Sequence, residues 1–344
     1  MALFLGGIAF RFGCGQSEPV YGNRTLSQWL YPGDPDFIWL PNDVYGHIHD
    51  ELWEKLVSQG ASSHAGPSEP ETNVVRRLMV RPGPPTLGPE AIPWLIQWMK
   101  ERPTVVDHLL TRLRPHVPAA IQGWLMHFDD APWTGRAGRW QIAAQEGFRS
   151  LGVRASNAVP QLALLMERDD ADLPLALGLC SLGPSGVSAV TKALDGADSE
   201  VRDTAALALG MSESREAIPA LVRCVERGLS SYAVLGAIGR IDSKQPAVIV
   251  PLIRQLEAWQ KDRGTNLVGI SLEQSMAVLL LGLQGTAASN AAPVLIRLHE
   301  TTQSAANGSD ADRRLLRRVL RMVSPAAERR LPPPGPREND DEWP

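Results

Sequence analysis

The sequence predicts an all-α fold, an α-solenoid of stacked helical pairs. Three observations carry that expectation. The stretch 201–228 (VRDTAALALGMSESREAIPALVRCVERG) holds two short amphipathic segments around a polar turn, and Ile218, Leu221, Val222 and Val225 of the second follow the i, i+3, i+4, i+7 spacing of one helical stripe. The same wording recurs along the chain. EAIPWL at 90–95 is rewritten as EAIPAL at 216–221, and RASNAVP at 154–160 as AASNAAP at 287–293. The punctuation recurs as well: proline near the start of the second segment, where a helix has no use for the missing N–H, and glycine in the turn before it.

Taken in order, residues 1–20 form a short hydrophobic N-terminal segment. Its nine-residue apolar run, Ala2 to Phe10, is too short for a bilayer core that takes about 20 residues. No basic region precedes it and Arg11 interrupts it. Two readings stay open, a truncated export or anchor segment and a plain cytosolic start. Residues 21–72 contain N-terminal helices and a linker. Tyr21 to Leu30 reads as a helix opened by Thr25 or Ser27, with Leu26, Trp29 and Leu30 inward. Asn42 to Gln59 reads as a second helix, with Val44, Ile48, Leu52 and Leu56 at i+4 steps. Gly60 to Thr72 is Gly-, Ser- and Pro-rich and reads as a linker.

Residues 73–323 form the repeat array. The second-helix anchors fall at Pro160, Thr191, Pro219, Pro251 and Pro293, in steps of 31, 28, 32 and 42 residues. The turn glycines are Gly152, Gly183, Gly210, Gly239 and Gly285, each expected to end a first helix in the left-handed conformation. Two places break the rhythm. One is an irregular pair at about 104–127 followed by a loop, Asp129 to Gly138; the other is an excess of residues at Trp259 to Ile270. The tail, 324–344, is Pro-rich and acidic and reads as disordered. A unit of two short helices buries too little apolar surface alone, so it must stack on neighbours.

These units resemble short HEAT repeats, the kind also called phycobilisome-lyase HEAT-like repeats, through the pattern V-R-x-x-A-A-x-A-L-G…A-I-P-A-L. Here it is supplied by Val201-Arg202, Ala205-Ala206, Leu209-Gly210 and Ala217 to Leu221. The period is shorter than the usual HEAT length of about 40–47. The resemblance implies an armadillo-like superhelix whose second helices line a concave face. The opening YGNRTLSQWL is similar to the start of bacterial envelope HEAT-repeat proteins, which implies export or an anchor. Within the same resemblance lie two alternatives to a protein-binding scaffold, a chromophore-lyase-like enzyme and a HEAT-like nucleic-acid-binding protein.

Composition narrows these classes. An apolar share of 44% with 21% charged residues belongs to a folded chain. The net charge of −4 and pI near 6.0 oppose a generic nucleic-acid binder. Cys14, Cys180 and Cys224 are scattered, giving neither a zinc motif nor a disulfide framework. The best metal-like cluster is His47, His49, Asp50 and Glu51, where His47 and Glu51 share a helical face, but a site needs three or four ligands and solvated histidines account for it better. No G-x-S-x-G, P-loop or dinucleotide fingerprint appears, and no catalytic, cofactor or metal residue is assigned. Acids at Asp169 to Asp172 and Asp195 to Glu200 suit helix capping. The basic run Asp312 to Arg321 places Arg313, Arg314, Arg317, Arg318 and Arg321 on one face, suited to phosphate or anionic lipid, or to the polar outer face of a terminal repeat.

The pattern taken as the candidate partner-binding site is a repeated Arg-x-x-Glu on three second helices: Arg223 and Glu226, Arg254 and Glu257, Arg297 and Glu300. Repetition at the pitch of the units would set these pairs as a ladder along one face. The partner expected from this reading is a protein, with nucleic acid disfavoured and membrane contact confined to the N-terminal segment.

Overall fold

A computed structural model describes residues 17–21, 24–30, 48–56, 87–101, 135–167, 172–262, 270–304 and 309–333. Within them the chain is all-α apart from one antiparallel bridge between Val20–Tyr21 and Arg24–Thr25. The hydrophobic N-terminal run, the linker at 60–72, the pair at 104–127 and residues 334–344 of the tail lie outside the described residues, whereas the tail's first part, expected as disordered, carries a helical turn at Pro325–Glu328 with Ala327 buried.

The helices are α1 (Leu26–Leu30), α2 (48–56), α3 (Ile92–Met99), α4 (Gly135–Leu151), α5 (Val159–Met166), α6 (Leu173–Ser181), α7 (Pro184–Ala193), α8 (Ser199–Met211), α9 (Ile218–Glu226), α10 (Tyr232–Ile241), α11 (Ile249–Asp262), α12 (Leu272–Leu283), α13 (Ala292–Ser304), α14 (Asp310–Val323) and α15 (Pro325–Glu328). Single 3₁₀ turns lead into α3, α9 and α11, and longer, kinked 3₁₀ segments, Gly152–Ala158 and Gly285–Ala291, lead into α5 and α13. First helices pack on one another in chain order, α4 on α6, then α8, α10, α12 and α14. Second helices pack back onto the next first helix: α5 on α6, α7 on α8, α9 on α10, α11 on α12, α13 on α14.

Each second helix buries its stripe between these rows. In α9, Ile218, Leu221 and Val225 are buried while Pro219, Arg223 and Glu226 are exposed. The same burial pattern aligns the units: Leu162, Val190, Leu221, Leu252 and Leu295 occupy equivalent core positions, each fully buried. This register corrects two anchors. Pro219 corresponds to Ser188 and Val250, not to Thr191 and Pro251. Capping follows the sequence. Asp198 opens α8 by accepting from the amides of Glu200 and Val201, Ser231 opens α10, and Ser271 with Gln274 forms a capping box on α12.

Several local expectations change. Of the five turn glycines, only Gly152, Gly183 and Gly285 have positive φ. Gly210 and Gly239 lie inside α8 and α10 and serve close packing. A Cβ on Gly210 would stand 2.8 Å from the Ala237 Cα, so the α8–α10 approach itself requires glycine there. The left-handed residue of that unit is Glu213 at φ 50°. Tyr21 and Arg24 belong to the β bridge and not to a helix, because Thr25 caps α1: its Oγ1 accepts from the Gln28 amide and its own amide donates to Gln28 Oε1. Residues 135–138, expected as loop, begin α4.

Helix α1 packs against α4. Leu26 and Leu30 of α1 are buried, and Leu30 lies beside Gly147 of α4. Tyr21 donates its hydroxyl hydrogen bond to Glu90 Oε1 at 2.9 Å, and burial, followed by that bond, pushes the phenol up to about 12 from 10.0. A folded value above the unfolded one means that the contact stabilises fully below pH 10.0 and is lost as pH rises through about 12. Subtracting the ultraviolet titration of Tyr21→Phe from that of the wild type should therefore reveal one phenol ionising well above pH 10.0. A difference curve centred on the ordinary tyrosine value would contradict the contact.

Candidate functional site

The second helices present their unburied stripe as a row. Burial register adds Lys192 and Asp195 of α7 to the sequence-derived pairs, since Lys192 is equivalent to Arg223 and Asp195 to Glu226. In the unit before, the corresponding residues are Leu164, 53% exposed, and Glu167. The row of basic positions is thus Lys192, Arg223, Arg254 and Arg297, all exposed, preceded by an exposed leucine. The parallel acidic row is Glu167, Asp195, Glu226, Glu257 and Glu300, exposed except at half-buried Glu257.

Sequence spacing missed Lys192 and Asp195 because this unit carries Ser188 where others have proline or valine. The signal that finds them is the apolar register, Val187, Val190 and Leu194 against Ile218, Leu221 and Val225.

The ion pairs run between units and not along each helix. Arg297 Nη2 lies 3.1 Å from Glu257 Oε1 of the preceding second helix, and Arg227 Nη1 lies 3.0 Å from Asp195 Oδ1 in the same sense. Among the described residues, Arg223, Glu226, Arg254 and Glu300 make no ion pair within 4.0 Å. The i, i+3 pairing within each Arg-x-x-Glu does not form; Arg297 instead meets the carboxylate of the neighbouring unit. Side chains in the two cross-unit pairs are 44–54% exposed, so each is worth about 0.2–1 kcal/mol at most. Such pairs are weak enough for a partner to rearrange.

Beside Lys192 the row is interrupted by a cleft of about 450 Å³, walled by Ala163, Met166, Ala189, Ala193 and Val201. Charged rims at Glu167, Lys192 and Asp198 surround this apolar floor. The combination offers a partner both a place for an aliphatic side chain and a periodic array of donors and acceptors.

Other sequence candidates are brought into different roles. Glu51 pairs with Arg240 at 3.5 Å and Lys55 at 3.1 Å, and His49 lies 3.7 Å from Asp50; His47 is outside the described residues. Among the described residues no three His, Cys, Asp or Glu side chains converge as metal ligands. Cys180 and Cys224 are buried free thiols; burial pushes Cys180 up to about 11 and raises Cys224 as well. The basic face of α14 is largely engaged internally. Arg317 is 2% exposed, donates to the Pro332 carbonyl at 2.7 Å and faces Glu328 at 3.8 Å. Arg313 pairs with Asp310, Arg321 with Glu328, and Arg318 stacks over Trp53 with 5.5 Å to the ring centroid. An outward basic surface for phosphate or lipid is therefore reduced. Among the described residues no helix is long and apolar enough to cross a membrane.

No protein-family model, curated protein or solved structure matches the chain.

Proposed function

We propose that this chain is a right-handed, armadillo-like solenoid of HEAT-like helical pairs that acts as a non-enzymatic scaffold, binding a protein partner along its second helices. The observation that carries the reading is the exposed row formed by Lys192, Arg223, Arg254 and Arg297 with its parallel row of carboxylates. Packing of each pair on its neighbours in chain order supports the solenoid. Arg223, Arg254 and Arg297 are the anchors: the planar guanidinium takes a partner carboxylate bidentately, and none of the three is held in a buried pair. Glu226, Glu257 and Glu300 set the register of the partner's basic groups.

Simultaneous Arg223→Glu, Arg254→Glu and Arg297→Glu should abolish capture of the native partner from cell extract. The melting temperature should fall by only a few degrees, since exposed pairs contribute little to stability. Undiminished capture by the folded triple variant would remove the row from the function.

A further inference from the structure

The first-helix row also carries an occupied groove. Helix α2 crosses α10, α12 and α14 with Ile48, Leu52 and Leu56 at i, i+4, i+8, each at most 1% exposed. Its floor is notched by glycines. A Cβ on Gly236 would stand 2.8 Å from Ile48 Cγ2, one on Gly239 2.6 Å from Leu52 Cδ1, and one on Gly282 2.7 Å from Leu56 Cδ1. Each aliphatic tip of α2 therefore sits where a side chain on the first helices would be. Charge completes the match along the rims. Glu51 at the i+3 position meets Arg240 at 3.5 Å, and Trp53 lies under Arg318.

The connections of α2 set it apart from the repeats. The chain before and after this excursion returns to α4: Leu30 of α1 and Leu95 of α3 both lie at Gly147, and Gly88 donates its amide to the Tyr21 hydroxyl. Nine residues dock on α10 to α14, joined through 31–47 on one side and 57–86 on the other. A nine-residue helix is unstable alone in water, so α2 is helical because the groove receives it. This is the geometry of an amphipathic helix laid in an apolar groove, with the ligand supplied by the same chain.

We infer that the α10–α12–α14 groove is a helix-docking site occupied in cis by α2. Its occupant in trans is an amphipathic partner helix bearing aliphatic residues at i, i+4 and i+8 and a carboxylate at i+3. Covalent attachment gives α2 an effective concentration on the order of 1 mM, so a partner must match its aliphatic pattern and exceed that concentration effect to displace it. The groove lies on the first helices, and its test is independent of the charged row on the second helices.

The probe is a fluorescently labelled peptide of residues 46–58 titrated into full-length chain. It should bind the Leu52→Asp chain saturably and the wild type on the order of 100-fold more weakly, the ratio expected for a peptide affinity near 10 μM. Gly239→Val, added to Leu52→Asp, should weaken peptide binding at least tenfold by filling the notch. In the wild type, excess peptide should raise amide exchange across 48–56 while α10 and α12 stay protected. Equal binding to both chains would overturn the inference, as would no binding to a Leu52→Asp chain of normal helicity. Global unfolding of Leu52→Asp would also overturn it, by marking α2 as an integral part of the core.

Discussion

Leu221→Ala should cost about 2–5 kcal/mol of unfolding free energy, the range for truncating a fully buried leucine whose surroundings close only partly. Leu221 is 0% exposed and sits at the centre of the α9 stripe, between Ile218 and Val225. The 3₁₀ turn Arg215–Ala217 fixes its height, and α9 is packed against α10, so neither neighbour is free to fill the space. The loss divides between removed transfer energy and a residual cavity. Urea denaturation gives the comparison directly, and a shift below about half a kcal/mol would mean that Leu221 is not a core position.

The second large effect comes from adding an atom. Gly186→Ala would place a Cβ 1.9 Å from the Leu179 carbonyl oxygen and 2.8 Å from its carbon. Alanine inside a helix ordinarily gains about 1 kcal/mol over glycine. Here the obstacle is backbone, and relief requires moving α7 away from the end of α6. The sign therefore reverses, to a net loss of about 2 kcal/mol or more. Gly183, the left-handed cap just before α7, leaves little freedom for that movement because Val153 lies 2.7 Å from its own would-be Cβ. A neutral or stabilising Gly186→Ala would show that the α6–α7 joint is looser than the structure has it.

The residues that spoke for themselves in the sequence are those whose role is local. Ile218, Leu221 and Val225 announce a buried stripe by spacing alone, and Asp198 and Ser271 occupy capping positions readable from their neighbours. Ile48, Leu52 and Leu56 likewise read as one apolar face. What that face packs against was not readable, since Gly236, Gly239 and Gly282 lie 187 to 226 residues further on, and a glycine in a helix looks like a helix end. The same ambiguity misplaced Gly210. Lys192 and Asp195 were hidden by a missing proline, and Arg317 by its charge, because burial beside Glu328 depends on the chain turning back after Val323. For the candidate site, the exposed Arg-x-x-Glu repeat was visible; its pairing was not. The partner of Arg297 is decided by how one unit sits on the next, and spacing within a helix carries no information about that.

The central claim is that each helical pair depends on its immediate neighbours and not on a shared globular core. A chain ending at Asp262 removes α12 to α15 and exposes the face of α10. It leaves Ile48 and Leu52 their seats at Gly236 and Gly239 but deprives Leu56 of Gly282. The measurement is far-ultraviolet circular dichroism of this truncated chain, followed through urea denaturation. The account predicts helicity per residue close to that of the full chain and a cooperative transition at lower urea, with the slope reduced in proportion to the surface removed. Loss of the helical spectrum in the absence of denaturant would contradict it and require a single core spanning the whole chain.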